Sequence, residues 1–173
     1  MMFLMGRYGY PCCPQITLTG MPKRSSPMAL HYLGLERAPV KPGDMQRALK
    51  PWPELAAVLT TLLDRWPDPL AGCHRRYLSD WGVTLDLWWG DAGETLSDLA
   101  SHATAWVDAW YLDGFAPAKE TGPWSASIFT AMAALSRPGA TVSTFTAASA
   151  VRQGLTTAGF SMQKRPGYGR KRD

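Results

Sequence analysis

The feature that most constrains the fold of this sequence is the alternation of short apolar runs with helical patterns after Leu30. The apolar runs have the length and composition of β-strands, and they cover residues 30–36, 83–91, 107–115 and 140–146. Strands that alternate with helices indicate an α/β fold, in which right-handed crossovers build the sheet. We therefore expect one α/β domain over residues 30–173.

The helical patterns repeat apolar residues at intervals of three and four. The clearest covers residues 54–66 and ends at Pro67, and its apolar face holds Leu55, Val58, Leu59, Leu62, Leu63 and Trp66. Two later helices carry Ile128, Met132 and Leu135, and Val151 and Leu155, with Gly159 at a predicted left-handed C-cap. The run VDAWYLDGF is almost continuously apolar, which predicts a strand buried on both faces.

The first 29 residues differ from the rest, since they hold four prolines and two adjacent cysteines. Only QITLT, residues 15–19, is strand-like there. We interpret residues 1–29 as an unrelated or disordered leader.

The amino-acid composition excludes several classes of protein. Hydrophobic residues make up 46% of the 173 and charged residues 18%, as in globular proteins, and no apolar run approaches the roughly 20 residues that span a bilayer. The opening MMFLMGRYGY lacks the features of a signal peptide. Neither the three cysteines nor the three histidines show metal-ligand spacing. We expect a cytoplasmic protein with no membrane partner and no metal.

The net charge of +4 is concentrated in the last ten residues, KRPGYGRKRD. Five basic residues beside Tyr168 suit contact with a phosphate backbone. A solvated terminal segment would have the same composition, so charge alone leaves both interpretations open.

Three acids each close a predicted strand: Glu36, Asp91 and Asp113. Ligands of open parallel sheets bind beyond the carboxyl ends of the strands, where these acids would gather. Carboxylates there can accept ribose hydroxyls or an adenine amine, which suits a nucleoside-containing cofactor. Asp91 is equally well explained as a helix N-cap, and Glu36 as a surface acid.

Asp113 is the most informative of the three acids. It leads into Gly114-Phe115-Ala116-Pro117, a stiff turn in which the Phe115 ring could stack on a flat base. A carboxylate beside such a ring can orient an amine nucleophile and take its proton. The alternative is an acid satisfied by backbone amides in a tight turn, and we favour the functional interpretation.

With these residues in place, the chain from about Leu30 to Arg172 resembles a known family. This is the methyltransferase domain of bifunctional tRNA 5-methylaminomethyl-2-thiouridine biosynthesis proteins. The likeness is carried by LHYLGLERAP, VTLDLWWGDAGETL, WYLDGFAPAK and MQKRPGYGRKR, of which the last two are the most specific. It implies a class I S-adenosylmethionine-dependent methyltransferase fold, a Rossmann-like and mostly parallel sheet with the cofactor over its carboxyl edge.

The resemblance also implies the reaction, methylation of the exocyclic amine of 5-aminomethyl-2-thiouridine at the tRNA wobble position. By likeness, Glu36 takes the cofactor's ribose hydroxyls and Asp91 its adenine amine. Asp113, with Phe115, faces both the transferring methyl and the incoming amine. Lys119 and the tail residues Lys164, Arg165, Arg170 and Lys171 would contact tRNA phosphates.

The chain departs from the family at both ends. The family's central first strand leads into a glycine-rich loop, and no such pattern precedes Leu30, where Gly6 and Gly9 are not placed between a strand and a helix. We therefore expect the first strand to be missing, with QITLT the one candidate to fill its slot. The family's last strand and its flavin-dependent oxidase domain, which holds FAD, would follow Asp173 and are not expected here.

Three functions can be weighed on the sequence. The first is methyl transfer to tRNA, and the second is a truncated, inactive remnant with at most tRNA binding. The missing glycine-rich loop favours the second for this chain alone. A dehydrogenase would need its own glycine fingerprint, and the sequence contains none.

Overall fold

The structure is a computed structural model that describes residues 2–6, 30–103, 105–112, 124–144, 146 and 148–163, with the backbone alone for residues 2–6. The strands and helices of these residues are, in chain order, β1 (Met2–Gly6), β2 (Leu30–Glu36), α1 (Pro42–Leu49), α2 (Ala56–Leu63), β3 (Gly72–Leu78), β4 (Val83–Trp89), α3 (Ala92–His102), β5 (Val107–Leu112), α4 (Ala126–Leu135), β6 (Ser136–Thr144) and α5 (Ser149–Thr157).

The strands form one mixed sheet in the order β3-β4-β2-β1-β5-β6. β2 is parallel to β4 and β5 is parallel to β6, whereas β1 is antiparallel to both of its neighbours and β3 is antiparallel to β4. Four strands, β2, β4, β5 and β6, therefore run in one direction. Their last residues define the carboxyl edge: Glu36, Trp89, Leu112 and Thr144. The predicted α/β class is confirmed.

The central slot between β2 and β5 is filled by β1, which the sequence did not predict. Met2 is in register with Leu35 on one side and Leu112 on the other, and Gly6 is in register with His31. QITLT was the candidate for this slot, but Met2–Gly6 occupies it, and residues 15–19 themselves lie outside the described residues. A short apolar run pairs in either direction because the ladder uses backbone groups alone.

The main core lies between one face of the sheet and helices α3, α4 and α5. Leu33 and Leu35 of β2 and Trp110 and Leu112 of β5 face it from the sheet. The helices contribute buried side chains to the same cluster: Leu96 and Leu99, Ile128, Phe129, Met132 and Leu135, and Val151 and Leu155. The predicted stripes of the last two helices are confirmed, and Gly159 has the expected positive φ, 101°.

The opposite face of the sheet is covered over β4. Leu85, Leu87 and Trp89 pack there against Leu62 and Trp66. The helix predicted over residues 54–66 forms as a 3-10 turn, Pro53–Leu55, followed by α2. Only part of its expected apolar face is covered, since Val58 stays 43% exposed.

β5 is buried on one face only, so the expectation of burial on both faces is wrong. Trp110 and Leu112 are buried, but Tyr111 between them is 42% exposed. Tyrosine and tryptophan make the run look continuous, although a strand places alternate residues on opposite faces.

Besides β1, two elements were not predicted from the sequence, α1 and β3. β3 reads GCHRRYL, with no apolar alternation, and lies at the edge of the sheet where charged residues suit an exposed strand. No helix in the described part of the chain has the length and apolarity needed to cross a membrane.

A buried ionic cluster ties β2, β3 and β4 together. Asp86 is 2% exposed and accepts two hydrogen bonds from Arg75, at 2.7 and 2.6 Å, and one from Nε2 of buried His31 at 2.8 Å. Burial opposes ionisation of Asp86, but the hydrogen bonds and charges of Arg75 and His31 outweigh it. They hold the pKa of the Asp86 carboxyl below its ordinary value.

We expect Asp86→Asn to lower the free energy of unfolding by about 3 kcal/mol at neutral pH, since it leaves Arg75 and His31 without their anion. A carboxyl whose folded-state pKa is lowered stabilises the fold above its unfolded-state pKa, about 4, and this contribution is lost as the pH falls through the folded value. Wild type should therefore lose more stability on acidification than the variant. Urea titrations at several pH values measure both, with Asp44→Asn, in an exposed pair with Arg47, as control. Equal acid sensitivity would contradict the cluster's role.

Candidate functional site

Two of the three predicted acids lie next to each other at the carboxyl edge. Glu36 ends β2 in register with Trp89, the last residue of β4, and Asp91 follows two positions later. The backbone amide of Gly90 donates to the carbonyl of Glu36 at 3.0 Å. One backbone hydrogen bond therefore joins the two segments that carry the acids.

Glu36 is oriented by the loop that follows it, residues 37–41. The side chain is half-buried, and its Oε1 accepts a hydrogen bond from the amide of Ala38 at 2.8 Å. This bond links the position of Oε1 to the course of the loop.

Asp91 is the N-cap of α3. Its Oδ1 accepts from the amides of Gly93 at 2.8 Å and Glu94 at 3.1 Å, which satisfies two of the amides that open the helix. Of the two interpretations left open by the sequence, the cap is therefore realised. Among the described residues no hydrogen bond reaches Oδ2, so the exposed carboxylate can cap the helix with one oxygen and accept from a ligand with the other.

The third acid, Asp113, lies outside the described residues, and so do Phe115, Lys119, Lys164, Arg165, Arg170 and Lys171. The structure describes β5 up to Leu112, one residue before Asp113, and this strand ends at the carboxyl edge. The roles of these residues stay predictions.

Two tryptophans at this edge were not singled out by the sequence analysis. The indole Nε1 of Trp66 donates to the carbonyl of Val40 at 3.0 Å, and that of Trp89 donates to the carbonyl of Asp68 at 3.2 Å. Their rings lie 5.6 Å apart. Trp66 was predicted as a member of an apolar stripe, a pattern that cannot show where an indole N–H points.

The centre of the edge is occupied by the start of β1. Met2 lies between Leu35 and Leu112, each of which precedes a predicted site acid by one residue. Gly6, at the other end of the strand, lies at the opposite edge of the sheet. Among the described residues, no group of three or more His, Cys, Asp or Glu side chains could hold a metal ion.

Replacing Asp91 tests its contribution as the N-cap of α3. Asp91→Ala should lower the free energy of unfolding by about 1 kcal/mol because the amides of α3 lose their acceptor. Asp91→Asn should stay within a few tenths of wild type, because an amide oxygen also caps a helix. Chemical denaturation of the three proteins measures the difference. Asp91→Ala as stable as wild type would mean that the cap contributes nothing.

Comparison with known protein families identifies the family of the chain. A family model for S-adenosyl-L-methionine-dependent methyltransferases matches residues 53–173, more than two thirds of the chain. The match includes β4, Asp91 and Asp113, while β1, β2 and Glu36 precede it. With the α/β sheet, it establishes a class I, Rossmann-like fold with S-adenosylmethionine as the cofactor of the family. The chain belongs to the S-adenosyl-L-methionine-dependent methyltransferase family.

Proposed function

We propose that this protein transfers the methyl group of S-adenosylmethionine to the exocyclic amine of 5-aminomethyl-2-thiouridine at the wobble position of tRNA. The observation that carries the proposal is the position of Glu36 and Asp91 on adjacent segments at one carboxyl edge, where β5 also ends before Asp113. The family supports methyl transfer, and the sequence resemblance supports the tRNA substrate.

The described residues fit the nucleoside half of the cofactor. Glu36 would accept from the ribose hydroxyls, and Oδ2 of Asp91 would accept from the adenine amine. Both side chains are held by backbone amides, Glu36 by Ala38 and Asp91 by Gly93 and Glu94. Acceptors that are already oriented lose little entropy when a ligand binds.

The methionine half of the cofactor has a weaker fit. In the family that the sequence resembles, the central strand runs toward the carboxyl edge and opens there into a glycine-rich loop. β1 runs the other way, so this edge receives Met2 and the opposite edge receives Gly6. Among the described residues no glycine-rich loop lies between β2 and β5 at this edge. We therefore propose that the protein binds the cofactor weakly.

The bound cofactor supplies a methyl group on a positively charged sulfur, which is already a reactive donor. In the proposed reaction the uridine amine attacks the methyl carbon, the carbon–sulfur bond breaks, and its electron pair stays on the sulfur of the leaving thioether. Asp113 would take a proton from the incoming ammonium and pass it to water before attack. It would then aim the neutral amine and accept the proton that the methylated ammonium releases. Phe115 would stack on the uridine ring.

The tRNA would be positioned by its phosphates. Lys119 and the tail residues Lys164, Arg165, Arg170 and Lys171 supply the positive charge, and the anticodon base would be splayed into the site. Such contacts give affinity that falls steeply with salt. In the resembled family the amine comes from a fused flavin-dependent oxidase, whose FAD belongs to that domain. A tRNA substrate would support a cytoplasmic location for the reaction.

A second candidate is a non-catalytic protein that binds tRNA. The reversed direction of β1 favours it, because a site without the glycine-rich loop could lose the cofactor while the basic segments still bind RNA.

The test is transfer of labelled methyl from S-adenosylmethionine to tRNA that carries 5-aminomethyl-2-thiouridine. Wild type should label the wobble base. Asp113→Asn should lower kcat by roughly a hundredfold or more, because the general base and the aim of the amine are lost. Glu36→Gln should raise the KM for the cofactor with kcat almost unchanged, and Asp64→Asn on the exposed end of α2 is the control.

The outcome of this assay, together with tRNA binding, distinguishes the two candidate functions. Salt-dependent tRNA binding without any transfer would select the non-catalytic candidate. Transfer that Asp113→Asn leaves unchanged would contradict the proposed role of that acid, and a protein with neither transfer nor tRNA binding would contradict both candidates.

A further inference from the structure

We infer that Trp66 is a positioning residue for Glu36, acting through the loop of residues 37–41. The inference rests on the proposed function, in which Glu36 holds the ribose of the cofactor. Trp66 follows α2. It is not one of the acidic and basic residues that the sequence predicts for the site.

The ring of Trp66 is anchored on the sheet. It packs against the buried side chains of Leu85, Leu87 and Trp89 on β4, and its ring centroid lies 5.6 Å from that of Trp89. Trp89 is itself 5% exposed and is in register with Glu36. The indole is therefore fixed relative to the strand on which Glu36 lies.

From this anchor the indole reaches the loop. Nε1 of Trp66 donates to the carbonyl of Val40 at 3.0 Å, across 26 positions of sequence. The Val40 side chain is 42% exposed, so its own packing holds the loop only weakly. At the other end of the loop, the amide of Ala38 donates to Oε1 of Glu36 at 2.8 Å. The same short loop thus receives a bond from Trp66 and gives one to Glu36.

The consequence is a dependence of the Glu36 carboxylate on Trp66. Without the indole donor, the Val40 carbonyl would bond to water and residues 37–41 would sample more conformations. The amide of Ala38 would then hold Oε1 for less of the time, and part of the cofactor's binding energy would be spent on ordering the acid. The effect should appear in cofactor affinity and KM, and kcat should not change.

The competing explanation is that Trp66 only fills the apolar layer over β4. Trp66→Phe distinguishes the two, because phenylalanine keeps an aromatic ring against Trp89 and removes the N–H donor. The matched control is Trp110→Phe, which removes an indole bond to Oγ of Ser136 at 2.8 Å, in the core on the other side of the sheet. Trp110 is fully buried, so the control should lose more stability than the test variant.

Titration of ¹⁵N-labelled protein with S-adenosylmethionine, followed by NMR, measures affinity even when binding is weak. Trp66→Phe should bind the cofactor roughly two- to tenfold more weakly, the effect of one neutral hydrogen bond. In the protein without cofactor, the Ala38 amide should exchange its hydrogen faster than in wild type. Trp110→Phe should show wild-type affinity and wild-type exchange at Ala38 despite its lower melting temperature.

Two results would overturn the inference. One is a Trp66→Phe variant with wild-type affinity and an Ala38 amide that exchanges at the wild-type rate. The other is an equal loss of affinity in Trp110→Phe, which would trace the effect to stability alone. If Glu36→Gln binds the cofactor as wild type does, the proposed role of Glu36 in cofactor binding is wrong. The hydrogen-exchange rate of the Ala38 amide in Trp66→Phe then tests, independently of the cofactor, whether Trp66 orders the loop.

Discussion

The carboxyl edge depends on the strand that lies between β2 and β5 at the centre of the sheet. The backbone groups of β2 and β5 on these inner sides must be hydrogen-bonded, and the direction of the strand that pairs with them decides which residues reach the edge. Two parallel pairs, β4 with β2 and β5 with β6, would otherwise present open flanks to each other. β1 pairs with β2 over five residues and with β5 over four, antiparallel to both. Backbone pairing is satisfied in either direction, so the sheet and its main core form around the reversed strand. The direction still has a consequence for the site, because it decides which end of the strand meets the ligand edge.

The proposed nucleoside end of the site depends on local bonds, which do not require a particular direction of β1. Glu36 is oriented by the amide of Ala38, Asp91 by the amides that open α3, and the Gly90–Glu36 backbone bond joins the two segments. None of these bonds involves β1. The methionine end is different, since in the resembled family it depends on the loop that follows the central strand. In the proposed cofactor site, the nucleoside half and the methionine half therefore depend on different parts of the chain.

Much of this fold could be predicted from the spacing of apolar residues and from the residues that begin or end helices and strands. The strands that hold Glu36 and precede Asp91 and Asp113 were located to within a few residues, because apolar runs and caps are local features. The role of MFLMG could not be predicted, because a five-residue apolar run is ambiguous until its partners are known. β3 was missed because an edge strand needs no apolar face, and Tyr111 shows that a continuous apolar run can still have an exposed side. The hydrogen bond from Trp66 to Val40 could not be predicted from any sequence pattern, since it joins residues that only the folded chain brings together.

We propose that this edge binds the nucleoside part of S-adenosylmethionine and holds the methionine part only weakly. Calorimetric titration with S-adenosylmethionine and, separately, with adenosine tests it most directly. If the reversed β1 leaves the methionine part without its loop, the two affinities should agree within about tenfold, a difference of about 1.4 kcal/mol. Binding of S-adenosylmethionine roughly a thousandfold or more tighter than adenosine would show that the methionine part is firmly held, and would contradict the account.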